Sequence, residues 1–125
     1  MNYVDKCIVI NELNITIVKI TGFIGNDRDH EYQAFQQYSN ELLKNKNYFI
    51  VFDIQLGHVN SKFLGLMVEI YEKCTSKGGN LVLCNVSNYL MPILEMLGMT
   101  TIFSIFPNSD EAIRYFVKNY LESSL

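Results

Sequence analysis

The chain has 125 residues, 49% of them hydrophobic and 18% charged, enough apolar material for one packed core and too little length for two. A net charge of −3 leaves no basic stripe to neutralise phosphates, and the nearest basic cluster, Lys44-Asn45-Lys46-Asn47, holds two charges, which argues against a dedicated nucleic-acid binder. Three cysteines, Cys7, Cys74 and Cys84, match neither a disulfide framework nor a zinc site, and no apolar run approaches the roughly 20 residues that span a bilayer. The sequence therefore predicts a cytoplasmic protein, one domain over residues 1–125, with no direct membrane insertion.

Two β-branched runs, Cys7 to Ile10 and Leu13 to Ile20, flank Asn11-Glu12 and predict a hairpin, although the turn lacks the stronger Asn-Gly signal. After the turn-forming Gly25-Asn26-Asp27, the residues Tyr32, Phe35, Tyr38 and Leu42 recur three or four apart and predict a helix from Asp29 to Lys44. Tyr48 to Phe52 is a continuous apolar run ending at Asp53, as a strand covered on both faces requires. A loop with Gly57 leads to a second helical stripe, Phe63, Met67, Ile70, Tyr71 and Cys74, closed by Gly78-Gly79.

Asn80 to Cys84 reads as the next buried strand, and Leu90, Ile93, Leu94 and Leu97 as a third helical stripe ending at Gly98. Pro92 demands a late start or a distorted opening turn if Ser87 caps this helix. Thr101-Ile102-Phe103 reads as a brief last strand, and Ser109-Asp110-Glu111 opens a helix with Ile113, Phe116, Val117 and Tyr120 on one side. The alternation predicts an α/β fold: a mixed sheet of four to five strands after an N-terminal hairpin, with about four helices packed against it.

Chemistry is sparse. Asp27, Asp29, His30 and Glu31 form the densest group of metal-ligand types, yet no second histidine lies at helical spacing, and acidic residues suit a helix start for the dipole alone. Gly78-Gly79 precedes a strand, whereas a phosphate-binding loop must follow one and open a helix. His58 and Cys84 are a conceivable nucleophile pair or pocket with no third, orienting group in view. No metal, cofactor or catalytic constellation is expected.

The most informative segment is Val59-Asn60-Ser61-Lys62-Phe63-Leu64-Gly65, which joins the central strand to the second helix. If Asn60 is the N-cap, Ser61 is the first helical residue and its hydroxyl is released from capping, at a helix end that favours an anion. If Ser61 is itself the cap, nothing more follows.

In the order and spacing of these and the segments around them, the chain resembles the STAS domain, the fold of bacterial anti-sigma factor antagonists and of the cytoplasmic tails of sulfate transporters. The resemblance runs from about Ile15 to Phe116. Ile20-Thr21-Gly22 looks like the family's Leu-Thr-Gly, Phe49 to Asp53 like its central strand, Asn60-Ser61 like its Asp-Ser, and Leu64-Gly65 like its Leu-Gly. Lys77 to Leu83 is similar to the Gly-Gly-x-Leu-x-Leu strand, Leu94 to Met99 to the Leu-x-x-x-Gly-Leu segment, and Ile105-Phe106 through Glu111-Ala112 to the closing strand and helix.

The resemblance implies an anti-sigma factor antagonist whose serine, Ser61 here, is phosphorylated by an anti-sigma factor that is itself a serine kinase of the histidine-kinase-like ATPase type. A phosphatase would reverse the modification. Gln55, Gly57, His58, Val59, Asn60, Lys62 and Phe63 would surround the site and dock the partner. A non-switching STAS subunit, such as the small partner of a lipid ABC transporter, is the alternative. Against the family pattern, Asn60 replaces Asp, Lys62 replaces a hydroxyl residue, Phe63 replaces Gly, and the loop from Asp53 to Ser61 is one residue shorter. Lys62 would pair with a phosphate or be solvated; Phe63 would be core or would enlarge the docking patch.

Overall fold

Two strands, β1 (Tyr3–Ile10) and β2 (Leu13–Ile20), open the computed structural model, which describes residues 3–21, 29–55 and 59–121 and, within them, every side chain except those of Asp29 and Glu31. All eight residues of β1 pair antiparallel with β2, from Tyr3↔Ile20 to Ile10↔Leu13. The connecting Asn11 and Glu12 have φ of 48° and 70°, the two positive angles that a two-residue type I′ turn demands, so the hairpin closes without the glycine that normally supplies them. β1 begins four residues earlier than its apolar run suggests. Tertiary contacts extend it: the Tyr3 ring packs edge-on against Phe35 with centroids 5.0 Å apart, and Asp5 accepts a 2.8 Å hydrogen bond from the Tyr38 hydroxyl.

Helix α1 (Asp29–Lys44), strand β3 (Phe49–Ile54), helix α2 (Ser61–Ser76), strand β4 (Asn80–Cys84), helix α3 (Leu90–Met96), strand β5 (Ile105–Phe106) and helix α4 (Ser109–Tyr120) follow. The sheet order is β1-β2-β3-β4-β5, with every pair after the hairpin parallel. Each parallel step requires a crossover, which α1, α2 and α3 provide. The Gly25-Asn26-Asp27 turn lies outside the described residues.

Strand alternation divides the core in two. Val18, Ile20, Ile50, Phe52, Ile54, Leu81 and Leu83 face α1, α2 and α3, while Ile15, Val51, Val82 and Cys84 face α4 through Ala112 and Phe116. β3 and β4 are thus covered on both sides, the reason their sequences are continuously apolar. On the three-helix side Phe35 is the hub. Its ring lies 5.8 Å from Phe52 and 5.7 Å from Phe63, tying the second turn of α1 and the first turn of α2 to the central strand.

Two expectations need correction, and a third is resolved between its alternatives. Thr101-Ile102-Phe103 forms no strand: Met99–Thr101 is a single 3-10 turn, and Phe103 turns inward, 2% exposed, with its ring 5.3 Å from Tyr71. The closing strand is instead Ile105–Phe106, where the family resemblance placed it. Leu97 is not part of the buried stripe of α3; it is the C-cap, 55% exposed, because the helix stops one residue short of it. Pro92 is accommodated by a late start. The Ser87 hydroxyl accepts from the Leu90 N–H at 3.0 Å, residues 88–89 form a turn, and Pro92 falls in the first turn of α3, where a missing N–H costs little.

Candidate functional site

The connection from β3 to α2 leaves the sheet at the carboxyl ends of its parallel strands. Asp53, 8% exposed, accepts a 3.3 Å hydrogen bond from the Gln55 side-chain amide. Asn60 then adopts an extended backbone, φ −119° and ψ 172°, and its side-chain oxygen accepts from the Phe63 N–H at 3.0 Å, while its carbonyl accepts from the Leu64 N–H at 3.1 Å. Asn60 is therefore the N-cap, and Ser61 is not. Ser61 is the first helical residue, its side chain exposed and, among the described residues, without a hydrogen-bond partner.

Two further features set the local field. The first turn of α2 carries no acidic residue, whereas the first turn of α4 carries Asp110 and Glu111. The positive end of the α2 dipole is thus not offset within its own first turn. Lys62, exposed, lays its ammonium over the Tyr32 ring of α1, 4.4 Å from the centroid.

Phe63 is 1% exposed and packs on Phe35, so it supports the helix end from beneath and is no part of a docking face. Gln55 is exposed, and Val59 and Asn60 are half-buried, beside Ser61 and Lys62 along the same connection. Gly57 and His58 lie outside the described residues, as do Asp27 and the side chains of Asp29 and Glu31. A polar groove of about 460 Å³, which no local pattern in the residue order marks, is lined by Gln55 with Asn85, Val86, Ser87, Asn88 and Pro107. These residues follow β3, β4 and β5, and parallel pairing brings their carboxyl ends to one edge of the sheet. Beyond them α3 and the turns on either side of it expose Tyr89, Met96, Leu97 and Ile102.

The family model of the STAS domain matches residues 12–112. The chain belongs to the STAS domain family. Among solved structures, this STAS chain is similar to a candidate anti-sigma factor antagonist from Thermotoga maritima, with TM-score 0.71, 17% identity, and 89% of this chain and 92% of that one covered. It is similar to an anti-sigma factor antagonist from Mycobacterium paratuberculosis, with TM-score 0.70, 16% identity, and 90% and 92% covered. It is also similar to the Bacillus cell fate determinant SpoIIAA in the phosphorylated form, with TM-score 0.64, 10% identity, and 90% and 99% covered. Identities this low establish the shared fold and nothing finer. No curated protein matches the chain.

Within the STAS fold Cys84 is a poor nucleophile. It is fully buried, and burial, reinforced by the negative charge of Asp53, pushes its thiol up to about 12. Burial alone pushes Cys74 up to about 12, and burial together with the hydrogen bond to Asp5 raises the Tyr38 hydroxyl. These groups titrate higher folded than unfolded, so the stability they lend is whole below the unfolded thiol value of 9.0 and is lost as pH rises toward 12. The urea midpoint is expected to hold steady up to about pH 8.5 and to fall steadily above it. A Cys74→Ala/Cys84→Ala double variant, read against its own neutral-pH value, should show a shallower alkaline decline; an equally steep one would exclude the thiols as a source. Among the described residues no helix is long and apolar enough to cross a membrane.

Proposed function

We propose that this protein is an anti-sigma factor antagonist that works by regulated protein binding in the cytoplasm rather than by catalysis, with Ser61 as its phosphoacceptor. The observation that carries this reading is the division of labour at the start of α2: Asn60 takes the capping duty and leaves an exposed hydroxyl at the first helical position. The partner is a kinase of the histidine-kinase-like ATPase type that also acts as the anti-sigma factor, and a phosphatase resets the switch. Gln55, Val59, Asn60 and Lys62, with the groove lined by Asn85, Ser87 and Asn88, form the docking surface, and Gly57 and His58 complete its loop.

Electrostatics supports such a switch. A phosphate adds about −1.5 to −2 charges, which a helix N-terminus accepts in the free protein, while a partner surface fitted to a neutral hydroxyl does not. Modification therefore weakens the complex and leaves the fold intact. Incubation with the cognate kinase and ATP should add one phosphate, located at Ser61 by mass spectrometry and abolished in Ser61→Ala. Ser61→Asp should bind the unmodified protein's partner about 100-fold more weakly in calorimetry. An unmodified Ser61, or unchanged affinity of the aspartate variant, rejects the switch. Co-purification of a transporter ATPase in place of the kinase would instead identify a constitutive STAS subunit.

A further inference from the structure

The sheet has two edges, and the chain treats them differently. At one, β5 is two residues long and runs into Pro107, the kind of blunting that keeps an edge from pairing with another chain. At the other, β1 runs for eight residues with no proline, glycine or bulge, since each residue from Tyr3 to Ile10 has its partner in β2. Val4 and Val9, on its two opposite faces, are each 62% exposed, and Asp5, Lys6 and Cys7 between them are exposed as well. The turn at Asn11-Glu12 closes on the Ile10↔Leu13 pair, and hydrogen-bonded pairs alternate along an antiparallel ladder. Val4, Lys6, Ile8 and Ile10 therefore direct their backbone groups to β2. The N–H and C=O of Asp5, Cys7 and Val9 point outward, and among the described residues no backbone hydrogen bond from a turn or loop reaches them.

We infer that β1 pairs antiparallel with β1 of a second copy of this chain, centred on Cys7, so that the two five-stranded sheets join into one. A row of outward backbone donors and acceptors fits another extended backbone, and the side chains select the copy and the register. A two-fold axis normal to the sheet relates the copies, and directly opposed residues share a face, so odd-numbered residues meet odd-numbered ones. Two registers engage nearly the whole strand: Tyr3 to Val9 about Lys6, or Val4 to Ile10 about Cys7. The first opposes the two Lys6 side chains in a close, non-hydrogen-bonded pair, with Cα atoms about 4.5 Å apart, where like charges repel. The second opposes no like charges. In it Val4 meets Ile10 of the second copy, the Lys6 stem lies beside Ile8, and Asp5 faces Val9. With β2 between the interface and β3, the start of α2 stays uncovered in both copies, and the reversed strand direction points the two sites toward opposite ends of the joined sheet. The inference is independent of whether Ser61 is phosphorylated.

Sedimentation equilibrium of the full chain from about 1 μM to about 1 mM tests it. A reversible monomer–dimer equilibrium is expected, because one pair of strands buries less than a standard interface. Over the same range, amide exchange followed by NMR should slow for Asp5, Cys7 and Val9 as the dimer forms, and change little for Lys6 and Ile8, whose N–H groups are already bonded to β2. Two substitutions check the register. Val9→Asp places a carboxylate opposite Asp5 of the second copy and should weaken the dimer about ten-fold, whereas Val9→Lys should tighten it about three-fold. Val9 is exposed in the free chain, so folding does not confound the comparison. A monomer at every concentration, a dimer in which the Asp5, Cys7 and Val9 amides exchange as fast as in the monomer, or equal dissociation constants for the two variants overturns the inference.

Discussion

Phe63→Ala should lower the free energy of unfolding by about 3–5 kcal/mol, read from the urea midpoint at constant slope. Phe63 is 1% exposed, and its ring is held by Phe35, itself fully buried and in contact with Phe52 and Tyr3. Truncation removes the transfer energy of a whole ring and leaves a cavity whose walls belong to two helices and the sheet, so relaxation can close little of it. The position matters beyond stability. The Phe63 N–H is the donor that the Asn60 cap receives, so its buried side chain and its backbone together fix the turn that presents Ser61. A loss under about 1 kcal/mol, with a large change in partner affinity, would return Phe63 to the docking surface.

Gly79→Ala should cost about 3 kcal/mol, the upper end of what overpacking usually costs. A Cβ at Gly79 would come within 2.6 Å of the Tyr48 carbonyl carbon and closer still to its oxygen, which are backbone atoms at the entry of β3. That carbonyl already accepts a 2.8 Å hydrogen bond from the Asn80 N–H, which sets β4 against β3 in the register Phe49↔Asn80. No side-chain rotation can make room, so the strand pair itself must move. Neighbouring Gly78 has a different reason to be glycine: φ is +82° and nothing lies within 4 Å of its absent Cβ. Its N–H donates to the Thr75 carbonyl and that of Gly79 to the Cys74 carbonyl, a Schellman closure of α2. Gly78→Ala should therefore cost only about 1–2 kcal/mol, the penalty of a left-handed alanine. Equal losses in the two variants, measured by urea denaturation, would show that close approach to Tyr48 is not the deciding constraint.

Elements whose signal is local were legible from residue order alone. The apolar runs of β3 and β4 and the stripes on α1, α2 and α4 read correctly because burial on both faces, or on one helical face, leaves a period in the sequence that no distant residue needs to complete. The same holds for the left-handed glycine after α2. At the site, the sequence limited the N-cap to Asn60 or Ser61 but could not choose, since both residue types cap and the choice depends on backbone angles set by the path out of β3. Tertiary packing decided the rest. It extended β1 back to Tyr3 through Phe35 and Tyr38, turned Phe103 inward against Tyr71 where a strand was expected, buried Phe63, and set Lys62 over a ring thirty positions earlier. Each of these depends on a partner remote in sequence, and a pattern read along the chain carries no record of which remote side chain will be adjacent. The residue types of the candidate site were therefore visible from the start, but the burial of Phe63 against Phe35 and the seat of Lys62 on the Tyr32 ring existed only once α1 and α2 were packed together.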